Sequence, residues 1–212
     1  MDFDRLISFL ENKLKEPLPG KEAHLQMSPQ PVDMRRFEPK LPEHHRKSGV
    51  LLLFYPDSKQ TFFPLIKRPD YPGVHGGQIS LPGGKMEPED FDIVQTALRE
   101  AEEEIGVSKD QVSVLGRMTD LYIPTSNFLV SPVVGYMTSI PTMTPEEKEV
   151  QRIISAQVSQ VLDLGIRKRK NLDIRPSLRL DTPYFEIDGE MVWGATAMIL
   201  SELVWLLSTQ KS

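Results

Sequence analysis

The chain reads as one α/β domain, a mixed β-sheet with helices on both faces in an α/β/α sandwich. Three observations predict it. A continuous apolar run, Gly49 to Tyr55, has the length and composition of a buried strand. Short strand-like runs alternate with segments of helical period along the chain. The last element, Ala195 to Leu207, is apolar at nearly every helical face position and is expected to be a largely buried helix. No repeat or domain linker interrupts the series.

The elements follow in order. Phe3 to Lys15 places Phe3, Leu6, Ile7, Phe9, Leu10 and Leu14 at helical spacing, and Pro17 and Pro19 stop it. Residues 17–47 hold six prolines, Pro17, Pro19, Pro29, Pro31, Pro39 and Pro42, so irregular chain wrapping the core is expected. Pro56-Asp57-Ser58 is a turn, with Thr61 to Lys67 as hairpin partner of the first strand. Gln78 to Leu81 is a short strand that feeds a loop at Gly83 and Gly84. Val112 to Met118 and Val130 to Met137 are strands. Pro141, Pro145 and the run Glu146-Glu147-Lys148-Glu149 form a loop over one rim, followed by a strand at Val150 to Ile154 and a short helix at Val158 to Leu164. Asp173 to Leu180 and Tyr184 to Ile187 are extended, and Asp188-Gly189 is a hairpin turn.

Between the two glycines and Val107 lies the stretch with chemistry in it. Glu100, Glu102, Glu103 and Glu104 fall within five positions. Like charges at i, i+4 on a helix repel by roughly 0.2–0.5 kcal/mol per pair. Such a cluster is most readily kept where a cation sits on it, and hard divalent ions take oxygen ligands while bridging to phosphates. Val94, Ala97, Leu98, Ala101 and Ile105 form an apolar stripe for packing on the sheet. Glu100, Glu103 and Glu104 share a neighbouring face, and Glu102 points elsewhere. Arg99 stands four residues before Glu103 and can pair with it, and Gly106 ends the helix. A solvated Glu-rich face is the bland alternative, and the upstream glycines weigh against it.

The pattern resembles the Nudix box of the Nudix hydrolases, Gly-x5-Glu-x7-Arg-Glu-U-x-Glu-Glu-x-Gly-U, where U is aliphatic. The half from Arg99 to Val107 matches position for position, with Ala101 at the first U. Two departures fall in the first half: Arg99 comes fifteen residues after Gly84, one more than the family spacing, and Asp90 stands where the family has Glu. Residues 68–84 also resemble the segment before the box in the coenzyme A diphosphatase-like members. Leu65, Arg68, Gly77, Pro82, Gly83 and Gly84 fit, whereas Pro64, Ile66, Pro69 and Leu81 depart and Gly73 replaces an arginine suited to phosphates. Pro124-Thr125-Ser126, Ser131 to Gly135 and Val192 to Ala197 are similar to later segments of that subgroup. The resemblance covers about residues 48–208. It implies an arrangement of an N-terminal helix and proline-rich arm, 1–47, packed on a Nudix domain, 48–212.

The family resemblance implies a metal-dependent hydrolase cleaving the pyrophosphate bond of a nucleoside diphosphate conjugate, with coenzyme A or a derivative preferred. ADP-ribose, a dinucleotide or a nucleoside triphosphate are alternative substrates, and a silent nucleotide-binding module is the third class. Glu100, Glu103 and Glu104 are the expected ligands of Mg²⁺ or Mn²⁺. Glu103, Glu104 and Arg99 are the expected catalytic set, and Gly83, Gly84, Arg68 and His75 the expected substrate contacts. The general base stays open between Glu103, Glu104 and the later Glu146, Glu147 and Glu149. Lys67 has surface charge as an equal reading, Arg167 to Lys170 reads first as a solvated basic loop and second as a site for an extra phosphate such as the 3′-phosphate of coenzyme A, and Trp193 and Trp205 read as core packing.

Composition agrees with a soluble enzyme. The chain has 212 residues, 39% hydrophobic and 26% charged. A net charge of −5 argues against nonspecific nucleic-acid binding and leaves small anions open, because a bound metal reverses the local field. There is no cysteine, so no disulfide or thiol chemistry. Met1-Asp2-Phe3-Asp4 lacks the basic region of a secretion signal, and no apolar run reaches the ~18 residues of a membrane span. A cytoplasmic protein is expected, with a homodimer contact open to the N-terminal helix and arm.

Overall fold

The computed structural model describes every residue except 1, 39, 71–75, 176–177 and 210–212. In chain order the elements are α1 (Phe3–Lys13), α2 (Lys21–Leu25), β1 (Arg46–Asp57), β2 (Gln60–Lys67), β3 (Ile79–Ser80), β4 (Gly83–Lys85), α3 (Ile93–Ile105), β5 (Ser113–Arg117), β6 (Leu121–Ile123), β7 (Phe128–Tyr136), β8 (Arg152–Gln157), α4 (Val158–Val161), β9 (Arg167–Arg175), β10 (Leu178–Ile187), β11 (Glu190–Trp193) and α5 (Gly194–Ser208).

β1 is the spine. It runs parallel to β7 from Arg46↔Phe128 to Phe54↔Tyr136. It pairs antiparallel with β2 at one end and with β4 at the other. With β3, β5, β6 and β8 these strands make an eight-stranded mixed sheet, and β9, β10 and β11 form a separate three-stranded one. Both faces of β1 are covered, which is why its sequence is an unbroken apolar run. Leu51, Leu53 and Tyr55 pack with Ala97, Ala101 and Ile105 of α3. Leu52 and Phe54 pack with Ile199, Leu200 and Leu203 of α5 and with Leu6 and Leu10 of α1. Each such side chain contributes roughly 1.5–3 kcal/mol. The predicted sandwich with a mixed sheet is therefore the observed architecture. No helix among the described residues is long and apolar enough to cross a membrane.

Local signals set the helix ends. Asp92 accepts the Gln95 N–H at 2.8 Å to start α3, and Gly106 closes it at φ 71°. Gly49 determines how closely α3 lies on the sheet. A Cβ at that position would stand 2.6 Å from the Ile93 carbonyl oxygen, so any larger residue would lift the helix.

Several expectations need correction. The diglycine is a short strand, β4, rather than a loop. The basic run 167–170 opens β9, where Lys168 pairs with Glu186 and Arg169 clamps Asp181 at 2.7–3.1 Å. Alternating charges across two strands hide the strand pattern that hydrophobic period detects. β6 is absent from the sequence reading because three residues carry too little periodicity. The strand expected at Val150 to Ile154 begins at Arg152 and runs to Gln157.

The proline-rich arm holds α2, which a buried polar contact ties to the core. Glu202 of α5 is fully buried and accepts the Gly20 N–H at 2.9 Å, the Thr119 N–H at 3.0 Å and the Thr119 hydroxyl at 2.6 Å. His24 Nε2 stands 3.4 Å from Oε2, the oxygen that takes the Thr119 N–H, and is too poorly aligned for a full hydrogen bond. Burial alone would raise the Glu202 pKa, but His24 and Thr119 bring it below the usual carboxylate value. A depressed carboxylate stabilises the fold above its unfolded pKa, and that contribution is lost as pH falls through the folded value. Replacing Glu202 by Ala strands the donors from Gly20 and Thr119 without a partner. Urea unfolding at pH 7 should show a loss on the order of 3 kcal/mol, and a loss below about 1 kcal/mol would contradict this pinning role.

Candidate active site

The site is built where α3 crosses β4. Gly84 sits opposite Gly49, and Gly83 opposite Val50. Gly83 has φ 151°, and a Cβ there would meet the Gly49 carbonyl oxygen at 2.3 Å. At Gly84 a Cβ would meet Glu100 Oε2 at the same separation, 2.3 Å. Missing side chains on β4 thus make room for the helix carboxylates to reach the strand backbone.

Glu104 is the most deeply placed acid, 1% exposed. Its Oε2 accepts the Gly83 N–H at 2.7 Å, and its Oε1 lies 3.3 Å from Arg68 Nη2. Arg68 Nη2 also donates to the Gly83 carbonyl at 3.3 Å. Burial pushes the Glu104 pKa up to about 7, against the pull of Arg68 and the Gly83 N–H, while Glu100 and Glu149 add repulsion. Glu100 is half-buried and is also raised, first by burial and then by Glu103 and Glu149, with Arg99 opposing. Glu103 is exposed and turned to Arg99, 2.9 Å away. Glu102 points off to Lys109 at 3.1 Å, as its helix position implied.

Arg99 is the organiser of this face. It forks onto Asp90 with Nε–Oδ1 and Nη2–Oδ2 distances both 3.0 Å. It also reaches the Lys85 carbonyl at 3.1 Å and Glu100 at 2.9 Å. Asp90 is held at about 2 by Arg99 in the first place, with the Glu87 N–H and Thr96 hydroxyl assisting. The first-half departure from the Glu pattern therefore leaves a working partner for Arg99. The shorter acid is reached because Asp90 is itself drawn in by the Thr96 hydroxyl at 2.9 Å.

Among the described residues, no three His, Cys, Asp or Glu side chains already enclose a metal position. The donor chemistry nonetheless fits a divalent cation. The charge of Glu149 raises both Glu100 and Glu104, and Glu100 raises Glu104 in turn, a repulsion that a cation would relieve. Glu103 is free to join at little cost, since an exposed i, i+4 ion pair is worth ~0.3–0.5 kcal/mol.

On the sheet face opposite α3 opens a cavity of about 710 Å³. Val50, Phe128 and Val130 form its floor, and Trp193, Thr196 and Ile199 form part of its wall. Arg68 lines it too, so the same guanidinium touches the cavity and the buried Glu104. Trp193 stands on this wall, ahead of α5, rather than in the core. Lys67 is bound to Glu190 at 2.9 Å. His75 and the Gly73 position lie outside the described residues. The sequence reading did not gather the cavity residues, because they come from segments far apart in the chain. Within the acidic run 146–149, Glu149 is the residue whose charge reaches Glu100 and Glu104; the Glu146 N–H donates to the Glu104 carbonyl at 3.0 Å, which holds that turn against the helix end.

A family model described as NUDIX domain matches residues 44–180. A Photorhabdus laumondii protein described as "Uncharacterized Nudix hydrolase NudL" is 32% identical over 180 residues, covering 84% of this chain and 90% of the relative. A Yersinia pestis protein of the same description is 29% identical over 181 residues, covering 85% and 89%. Among solved structures, a Nudix hydrolase from M. smegmatis, RenU, aligns with a TM-score of 0.54 at 17% identity, covering 78% of this chain and 87% of that one, a likeness of fold.

The raised Glu104 has a measurable consequence. Its folded pKa of about 7 lies above the ordinary 4.5, so the folded state holds a proton that the unfolded state releases. Stability must then fall as pH rises from 4.5 to 7. In chelator-containing buffer the fall should be on the order of 3 kcal/mol between pH 4.5 and 8, and Glu104→Gln should flatten it. An equal slope in the variant would show that another group sets it.

Proposed function

The chain belongs to the Nudix family, and from that premise we propose that it is a metal-dependent hydrolase that splits the pyrophosphate link of a nucleoside diphosphate conjugate, with coenzyme A or a derivative as substrate. The observation that supports this reading most is the arrangement of Glu104, Gly83 and Arg68. It joins a carboxylate helix, the diglycine of a short strand and a cavity large enough for a nucleotide through one arginine. Pockets of ~300–1,000 Å³ are the usual size for small-molecule ligands.

Glu100, Glu103 and Glu104 are the residues that would hold Mg²⁺ or Mn²⁺, with Glu149 adding negative charge beside them. Such an ion, when bound, neutralises phosphate oxygens and polarises a water. The chain's own groups do the rest. Arg68 faces the cavity and offers its fork to a phosphate. Gly83 and Gly84 let the substrate approach the backbone of β4 without a side chain in the way. Arg99, locked by Asp90, sets the direction of Glu100 and Glu103. Glu104, beside the ion it would help hold, is the carboxylate proposed to take a proton from the attacking water. Phe128 and Trp193 give the cavity aromatic surface for a base.

A panel of nucleoside diphosphate conjugates with Mg²⁺ or Mn²⁺, read by product mass, tests the assignment. Coenzyme A should yield a 3′,5′-nucleotide and phosphopantetheine. Preferential cleavage of ADP-ribose, a dinucleotide or a nucleoside triphosphate would move the substrate within the family. No cleavage of any member with either metal would leave a binding module. Glu103→Gln should lower kcat by ~10²–10³-fold with the thermal midpoint unchanged, because its side chain is exposed, and undiminished turnover would remove Glu103 from the mechanism.

A further inference from the structure

The basic run 167–170 was a natural place for an additional phosphate contact, but Lys168 and Arg169 are committed to cross-strand acids. A different cation stands in the cavity itself. Arg36 belongs to the 3-10 turn Met34–Phe37 of the N-terminal arm, which packs against β6. It lines the same cavity as Arg68. Arg68 is bonded to β4 and Arg36 sits in the turn that packs on β6, and in the sheet β1 and β7 lie between β4 and β6.

Arg36 is half-buried, and among the described residues no carboxylate lies within ion-pair distance of it. The nearest acid, Asp33, is already clamped by Arg35 at 2.7 and 2.9 Å. Burial lowers the Arg36 pKa, the mark of a guanidinium partly stripped of water. A cation stripped of water and left unpaired is unfavourable until an anion arrives. Arg36 also lies outside the family-matched segment 44–180, so this feature comes from the arm.

We infer that Arg36 forms an anion subsite for a phosphate monoester on the ribose of the bound nucleotide, separate from the scissile diphosphate. The inference rests on the nucleotide-hydrolase reading for the identity of its ligand. Its readout does not depend on turnover. The full chain is titrated by calorimetry, with Mg²⁺ present, with adenosine 3′,5′-bisphosphate and with adenosine 5′-monophosphate. The wild type should bind the bisphosphate at least tenfold more tightly. Arg36→Gln should bring the two affinities within about threefold of each other, and Arg36→Lys, which keeps the charge and loses the fork, should give an intermediate ratio. Equal affinities in the wild type, or a full ratio in Arg36→Gln, would overturn the subsite. A chain that shows the ratio yet cleaves no diphosphate keeps the subsite and loses the hydrolase reading; cleavage without the ratio does the reverse.

Discussion

The bond from the Gly83 N–H to the Glu104 carboxylate fixes the rest of the site. It joins the C-terminal end of α3 to the strand that pairs with β1, and it draws Arg68 to the same point. It exists only because Gly83 adopts a backbone geometry closed to other residues and because Gly49 lets the helix lie close to the sheet. The carboxylate is buried by this arrangement, and its raised pKa follows from that burial. A carboxyl that titrates near neutral pH is therefore a product of packing, produced by two glycines that have no chemistry of their own.

Two buried glutamates make the contrast explicit. Glu104 and Glu202 are both almost completely hidden, yet they shift in opposite directions. Glu202 accepts from Gly20 and from both donors of Thr119, with His24 alongside, so its charge is well solvated by protein. Glu104 has one backbone donor and a long contact to Arg68, and it faces two further acids. The first is a structural anchor for the N-terminal arm. The second is under-compensated, which is the condition in which a carboxylate welcomes a cation or a proton.

Much of this was legible in the sequence, for identifiable reasons. The helix with its acids, its Gly106 stop and the Arg99–Glu103 contact follow from 3.6-residue periodicity and capping. The buried strand and the C-terminal helix follow from runs of apolar residues. What escaped detection depends on contacts between distant segments. Nothing in the spacing links Glu149 to Glu100, Arg36 to Arg68, or Glu202 to Gly20 and Thr119. Asp90 looked like a defect in a pattern, and only the guanidinium fork reveals it as the residue that holds Arg99. The basic strand β9 read as a loop because its regularity lies in charge pairing across strands instead of in hydrophobicity.

The carboxylates from Glu100 to Glu104 and the glycines they touch lie within a short continuous stretch, whereas the cavity beside them draws walls from the arm at Arg36 through to Ile199. Under the proposed roles, bond-breaking and recognition are encoded with different locality. A change in the arm or near α5 can reshape which molecule is admitted while leaving the acids in register. The scaffold permits its diet to drift under mutation with the reaction held constant.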